Sequence, residues 1–222
     1  MGRRLRSVVS DRPKPMAMIN QRPFLDILIE YLAGFGFRRF VLCAGHKSEV
    51  IRNYYSSRDD SLKFVISEEN MPLGTGGAIK NAEEYIQSNP FLAVNGDSSC
   101  SLDLAYFYNF HLAKQGLMSM VVVESKNTAD CGLVSLDDQN RIIGFEEKKQ
   151  KQPHGYVNAG IYFFQKEILG FVPANTNYSL EHDLFPKMAS QDSYAFVTDQ
   201  ELIDIGTPER LGLAKKVFST YT

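Results

Sequence analysis

Phe91-Leu92-Ala93-Val94-Asn95-Gly96-Asp97 decides the fold. Its four apolar residues read as a strand buried on both faces. Asn-Gly ends the strand as a turn, and a carboxylate follows at once. Working outward, the same unit recurs. Phe40-Val41-Leu42-Cys43-Ala44 is a buried strand ending at Gly45; Phe64-Val65-Ile66 and Met118 to Val123 are two more. Helices alternate with them. Phe24, Leu28, Leu32 and Phe35 share one face of a helix that Gly34 and Gly36 stop. Further helices are expected from Glu49 to Tyr55, Gly77 to Ile86 and Leu104 to Lys114. The alternation predicts an α/β fold with a mainly parallel sheet covered on both faces. Ligands of such sheets sit beyond the carboxyl ends of the strands, where the loops after Ala44, Ile66 and Val94 lie.

The rhythm changes at Cys131. Gly132 to Val134, Arg141 to Phe145 and Val157 to Phe164 are three strands with short connections, which predicts a small antiparallel lobe over the sheet. Leu180 to Ala189 reads as a helix, and Ala195 to Val197 and Leu202-Ile203 read as strands. Thr207 caps a last helix with Pro208 at its first position. The expectation is one domain over residues 1–222, in two parts that meet at about residues 125–126.

With 222 residues, 44% hydrophobic and 23% charged, the chain suits one globular domain. A net charge of −2 gives no draw to nucleic acid or an anionic membrane. No apolar run reaches membrane-spanning length and no signal peptide is visible, so a cytoplasmic location is expected. Cys43, Cys100 and Cys131 lack metal or redox spacing.

Several segments carry residues suited to phosphate and sugar chemistry. In Gly2-Arg3-Arg4-Leu5 a turn can cradle phosphates on its backbone amides, with Arg4 as a planar clamp. In Pro13-Lys14-Pro15 the prolines hold a point charge. Asp97 at a strand end suits Mg²⁺ held against phosphate, or equally a turn or helix cap. Asp204, between two isoleucines, is expensive to bury without a cation, and no cationic partner is expected nearby in sequence. Leu73-Gly74-Thr75-Gly76-Gly77 lets a flat base lie on bare backbone, whose amides can read its edge; a plain turn is the other reading. Glu147 and Lys148 suit a sugar hydroxyl and a sugar phosphate, or a solvated charge run. Asn158, inside an apolar strand, needs a protein or ligand partner. Ser179 reads as an N-cap, with Glu181 either supporting the cap or facing sugar.

Taken in order, Gly2 to Leu5, Pro13 to Pro15, Leu73 to Gly77, Asn95 to Asp97, Cys131-Gly132, Glu147-Lys148, Asn158 to Gly160, Ser179 to Glu181 and Asp204 to Pro208 resemble the sugar-1-phosphate nucleotidyltransferases over the whole chain. Arg6 to Ala17 and Pro72 to Ala78 are most similar to the members that guanylylate D-glycero-D-manno-heptose 1-phosphate. The resemblance implies a Rossmann-like α/β/α sandwich of the glycosyltransferase-A kind. It implies that a nucleoside triphosphate, GTP favoured, and a sugar 1-phosphate give a nucleotide sugar and pyrophosphate, for cell-surface glycan precursors.

By the same resemblance Arg4 holds the leaving pyrophosphate and Lys14 the α-phosphate. Asp97 and Asp204 hold Mg²⁺. Gly2, Leu73, Gly74, Gly76 and Gly77 bind nucleotide. Gly132, Glu147, Lys148, Asn158 and Glu181 face the sugar and its phosphate. The chain departs from the family pattern at Arg3, where Thr is usual, and at Cys131, where an aromatic often stands. Two glycines and a buried strand that precede this point in the family are expected to be missing. Mannose or N-acetylmuramate 1-phosphate, with GTP or UTP, stays open as substrate. So do a non-catalytic nucleotide-sugar-binding subunit and a homo-oligomer.

Overall fold

The computed structural model describes residues 10–58, 61–126, 128, 131–147, 154–189 and 191–221. The expectations for Gly2, Arg4, Lys148 and the first strand lie outside these residues. In chain order come β1 (Met18–Ile19), β2 (Arg22–Pro23), α1 (Phe24–Gly34), β3 (Arg39–Ala44), α2 (Ser48–Ser56), β4 (Lys63–Glu68), α3 (Gly74–Asn81), β5 (Phe91–Val94) and β6 (Ser98–Cys100). They are followed by α4 (Leu104–Lys114), β7 (Met118–Ser125), β8 (Gly132–Leu136), β9 (Ile142–Glu147), β10 (Gly155–Phe164), α5 (Phe185–Met188), β11 (Ser193–Thr198), β12 (Leu202–Asp204) and α6 (Pro208–Val217). These elements fall into two compact units, one of residues 1–70, 95–99 and 202–222, the other of 71–94 and 100–201. The units interleave along the chain.

In the first unit β3 and β4 pair in parallel from Arg39↔Lys63 to Ala44↔Glu68, β1 and β2 form a short hairpin, and β12 pairs with β6. The core gathers Phe24, Leu28 and Ile29 of α1, Ile51 and Tyr55 of α2, and Leu211 and Ala214 of α6. The 3.6-residue period of each helix places these residues on one stripe. Helix α1 stops where expected, with Gly36 at a positive φ of +92° that L side chains rarely adopt. Asp26 is buried on α1 and accepts from Tyr54 (2.6 Å), Tyr55 (2.8 Å) and Arg58 (2.7 Å), so its charge is fully partnered. Burial and the Asp26 carboxylate push the Tyr54 hydroxyl up to about 12, which keeps it a donor.

The second unit is built on one six-stranded sheet in the order β11-β7-β10-β8-β9, with β5 also on β10. Strand β10 is the spine, antiparallel to β5, β7 and β8, while β11 joins β7 in parallel. The three strands expected as a lobe over a sheet are therefore the continuation of one mixed sheet. A bulge between Asn158 and Tyr162, with Gly160 at φ +77°, lets β10 serve neighbours on both sides. Met118, Met120, Tyr162, Phe164 and Phe185 lie at the centre of this unit's core, each worth roughly 1.5–3 kcal/mol on full burial.

His111 of α4 is fully buried in this unit, stacked on Phe163. Its Nε2 lies 3.1 Å from the Gln165 amide nitrogen and its Nδ1 2.9 Å from Ser119 Oγ. The amide N–H donates to Nε2, so Nδ1 carries the proton and donates to Ser119. Burial lowers the His111 pKa below the ordinary 6.5. The unfolded chain therefore takes up this proton first as pH falls. The stability held by neutral His111 is complete above pH 6.5 and drains away below it, at no more than about 1.4 kcal/mol per pH unit. Calorimetry should show a steeper fall in melting temperature from pH 7 to pH 5 for the wild type than for His111→Gln. Parallel curves would remove His111 as the cause.

Candidate functional site

In the first unit the chain bends at Pro13, which is extended, into a 3₁₀ turn from Lys14 to Met16. Lys14 Nζ lies 2.6 Å from Asp97 Oδ2, across 83 residues of sequence. Gly96 permits this approach, since a Cβ there would stand 3.2 Å from Pro15 Cγ. A third segment closes in, with Ile205 N donating to the Asp97 carbonyl at 3.1 Å. A Cβ on Gly206 would meet Asp204 Oδ1 at 2.6 Å and Lys14 Nζ at 3.3 Å. Lys14, Asp97 and Asp204 thus come together where Gly96 and Gly206, with no side chain of their own, leave room for the charged groups.

Asp97 sits in the turn before β6, so the helix-cap reading fails. Its Oδ1 has no partner among the described residues. Asp204, expected to lack a cationic partner in sequence, has one in Arg210 six residues on. Thr207 caps α6 by accepting from Arg210 N at 3.3 Å, which sets Arg210 in the first turn beside Asp204. Gly206 N also donates to Asp204 Oδ1. Among the described residues no three His, Cys, Asp or Glu side chains gather as a metal cage. Two hard carboxylates beside a lysine instead suit a cation whose remaining ligands come from phosphate oxygens and water.

In the second unit Gly74 opens α3 at φ +73°, and the turn lies hard against residues 176–178. A Cβ on Gly74 would stand 2.7 Å from the Tyr178 carbonyl oxygen, and one on Gly77 2.5 Å from that of Thr176. Gly76 N and Gly77 N both donate to the Tyr178 carbonyl at 2.9 Å, and Tyr178 N donates to the Leu73 carbonyl at 2.8 Å. Two amides expected to read a base edge are therefore taken by main chain. Close backbone packing accounts for these glycines.

Ser179 is the N-cap foreseen, accepting from Glu181 N and His182 N at 3.1 Å each. Glu181 is held by two hydroxyls on one oxygen, Thr75 at 2.6 Å and Ser179 at 2.8 Å. Thr75 was missed in the sequence because its partner lies 106 residues away. Gly132 and Glu147 are register partners on β8 and β9. A Cβ on Gly132 would meet Phe145 Cζ at 2.6 Å and Glu147 Oε2 at 2.8 Å, so this glycine too is fixed by contact. The polar partner that Asn158 needed is protein: it donates to Tyr162 OH at 2.7 Å and accepts from Gly160 N at 2.9 Å, bracing the bulge of β10.

Residues 1–218 match the family described as "Nucleotidyl transferase". The chain belongs to the nucleotidyl transferase family. The transferase is 34% identical to a D-glycero-α-D-manno-heptose 1-phosphate guanylyltransferase of Campylobacter jejuni, over 94% of this chain and 92% of that one. It is also 34% identical to the protein of that name from Aneurinibacillus thermoaerophilus, over 100% and 96%. A crystal structure of HddC from Yersinia pseudotuberculosis superposes with a TM-score of 0.85 at 36% identity, over 97% of this chain and 94% of the other. A second structure of that protein, complexed with GMP-PN, gives 0.82 at 35%, over the same shares of the two chains. With these relatives the transferase is an enzyme of the sugar-1-phosphate nucleotidyltransferase class. No helix among its described residues is long and apolar enough to cross a membrane.

The packing of the Gly-rich turn gives a paired expectation. Gly77→Ala drives a Cβ into the Thr176 carbonyl, an overpacking cost of about 1–3 kcal/mol, or a melting temperature lower by several degrees. Gly212→Ala in α6 meets nothing within 4 Å and should raise it slightly. Thermal melts of the two variants check both signs.

Proposed function

We propose that the transferase joins GTP to D-glycero-α-D-manno-heptose 1-phosphate, giving GDP-heptose and pyrophosphate. The observation that carries this reading is the 34% identity to two heptose 1-phosphate guanylyltransferases over nearly the full length of each. A phosphate oxygen of the sugar 1-phosphate attacks the α-phosphorus in line. The bond to the β-phosphate breaks as the new one forms, and no covalent enzyme intermediate is needed. Catalysis then rests on positioning and charge neutralisation.

Lys14 is the cation for the α-phosphate. Its pairing with Asp97 holds the flexible side chain in one place before substrate arrives. Asp97 and Asp204 are the residues that would hold Mg²⁺, which when bound neutralises phosphate oxygens. Arg210 orients the Asp204 carboxylate. Gly132 and Glu147, close together at the ends of β8 and β9, and Glu181 are assigned to the sugar. Asn158 is assigned to the sugar side through the bulge it braces. Leu73, Gly74, Gly76 and Gly77 are assigned to the nucleotide, Gly76 and Gly77 by shape alone because main chain occupies their amides. Gly2 at the nucleotide, Arg4 at the leaving pyrophosphate and Lys148 at the sugar phosphate rest on the family resemblance alone.

The test is pyrophosphate release with GTP or UTP against heptose, mannose and N-acetylmuramate 1-phosphates. Turnover should be highest with GTP and heptose 1-phosphate; a clear preference for another pair overturns the assignment. With the preferred pair, Asp97→Asn should lower kcat by a factor of about 10²–10³, the size seen on removing one charge-stabilising group at a reacting centre. Lys14→Ala should lower kcat, and Lys148→Ala should instead raise KM for the sugar phosphate alone. One kinetic pattern shared by the two lysine variants would overturn the division of their roles.

A further inference from the structure

We propose that Thr75 and Glu181 are positioning residues, joined by a hydroxyl–carboxylate bridge that sets the Gly-rich turn of α3 against residues 178–181 and leaves one Glu181 oxygen for a sugar hydroxyl. The last clause rests on the assignment of Glu181 to the sugar above. The bridge itself rests on geometry within one unit.

Proton bookkeeping leaves little freedom. Leu180 N donates to Thr75 Oγ1 at 2.8 Å, so that oxygen is occupied as an acceptor. Its own hydrogen goes to Glu181 Oε2 at 2.6 Å. Ser179 Oγ is placed alike: it accepts from two backbone amides and donates to the same carboxylate oxygen at 2.8 Å. Glu181 Oε2 thus receives two hydroxyls, each of which is fixed by main chain. Such charge-assisted bonds are the strong ones. Oε1 has no partner among the described residues. A carboxylate pinned by one oxygen presents the other as a pre-oriented acceptor, with its rotamer entropy already lost.

Thr75 is exposed, so packing does not explain its contacts. What it does is tie the second residue of α3 to the segment whose Tyr178 carbonyl takes Gly76 N and Gly77 N. A shift of residues 178–181 would therefore move the nucleotide turn and the sugar carboxylate together.

The test uses the full chain and four proteins: wild type, Thr75→Ser, Thr75→Val and Glu181→Gln. Steady-state kinetics are read by pyrophosphate release, with melting temperature and amide hydrogen exchange alongside. Thr75→Ser keeps both bonds and should stay near wild type. Thr75→Val loses both and should raise KM for both substrates by about tenfold or more, the scale of one lost hydrogen bond to a charged group. Glu181→Gln still accepts both hydroxyls through its carbonyl oxygen but turns an NH₂ outward. It should raise KM for the sugar 1-phosphate only. Exchange of the Leu180, Gly76 and Gly77 amides should quicken in Thr75→Val and not in Glu181→Gln.

Wild-type KM values in Thr75→Val, or failure of Thr75→Ser to rescue, overturn the positioning role. A silent Glu181→Gln overturns the free-oxygen assignment. If the wild type turns over none of the sugar 1-phosphates, the functional reading falls. The exchange data then still decide the bridge, because unchanged protection in Thr75→Val would remove it.

Discussion

An ammonium group 2.6 Å from Asp97 Oδ2 is the contact around which the charged cluster of the first unit is arranged. Neither partner is deeply buried, and exposed ion pairs are worth little as stability. Its value is geometric. The pair joins a proline-bracketed turn near residue 14 to the strand end at residue 97, and the Ile205 amide ties residue 205 to the same spot. Three distant pieces of sequence reach a few ångströms of each other, and Gly96 and Gly206 leave the space between them clear. The role proposed for Lys14 needs a positive charge held still, and the Asp97 carboxylate holds it.

The two units solve the problem of a bare backbone differently. In the first, glycines make room for charged side chains. In the second, Gly74 and Gly77 make room for the carbonyls of Tyr178 and Thr176, and the result is main chain locked on main chain. The same residue type thus makes room for charge in one place and gives rigidity in the other. Gly132 stands between these cases, pressed by the Phe145 ring and the Glu147 carboxylate at once.

Much of the fold was legible because apolar runs and turn residues agree locally. Leu104–Lys114 forms the helix expected over those residues, and Thr207 caps α6 as its hydroxyl and the following proline foretell. The mixed sheet was less legible. Whether β10 pairs with three antiparallel neighbours depends on contacts across many residues and on a bulge that Asn158 alone hints at. The site followed the same rule. Strand-end carboxylates were visible as types in places. Arg210 could have been found, since an arginine in the first turn after a Thr-Pro cap lies within reach of Asp204. Thr75 could not, because nothing local links it to Glu181.

The interleaving of the two units bears on how the chain reaches its folded state. Residues 71–94 and 100–201 leave the ribosome before residue 202 does, so the six-stranded sheet has all its strands in hand early. The first unit must wait: Ile205, Leu211 and Ala214 fill a core begun by Phe24, Leu28 and Ile29. Until those late residues arrive, α1 and the β3–β4 pair present open apolar faces, a state prone to misassembly. Closing so long a loop is slow. Asp204 comes on the same late segment, so the carboxylate pair is completed by the step that seals the core.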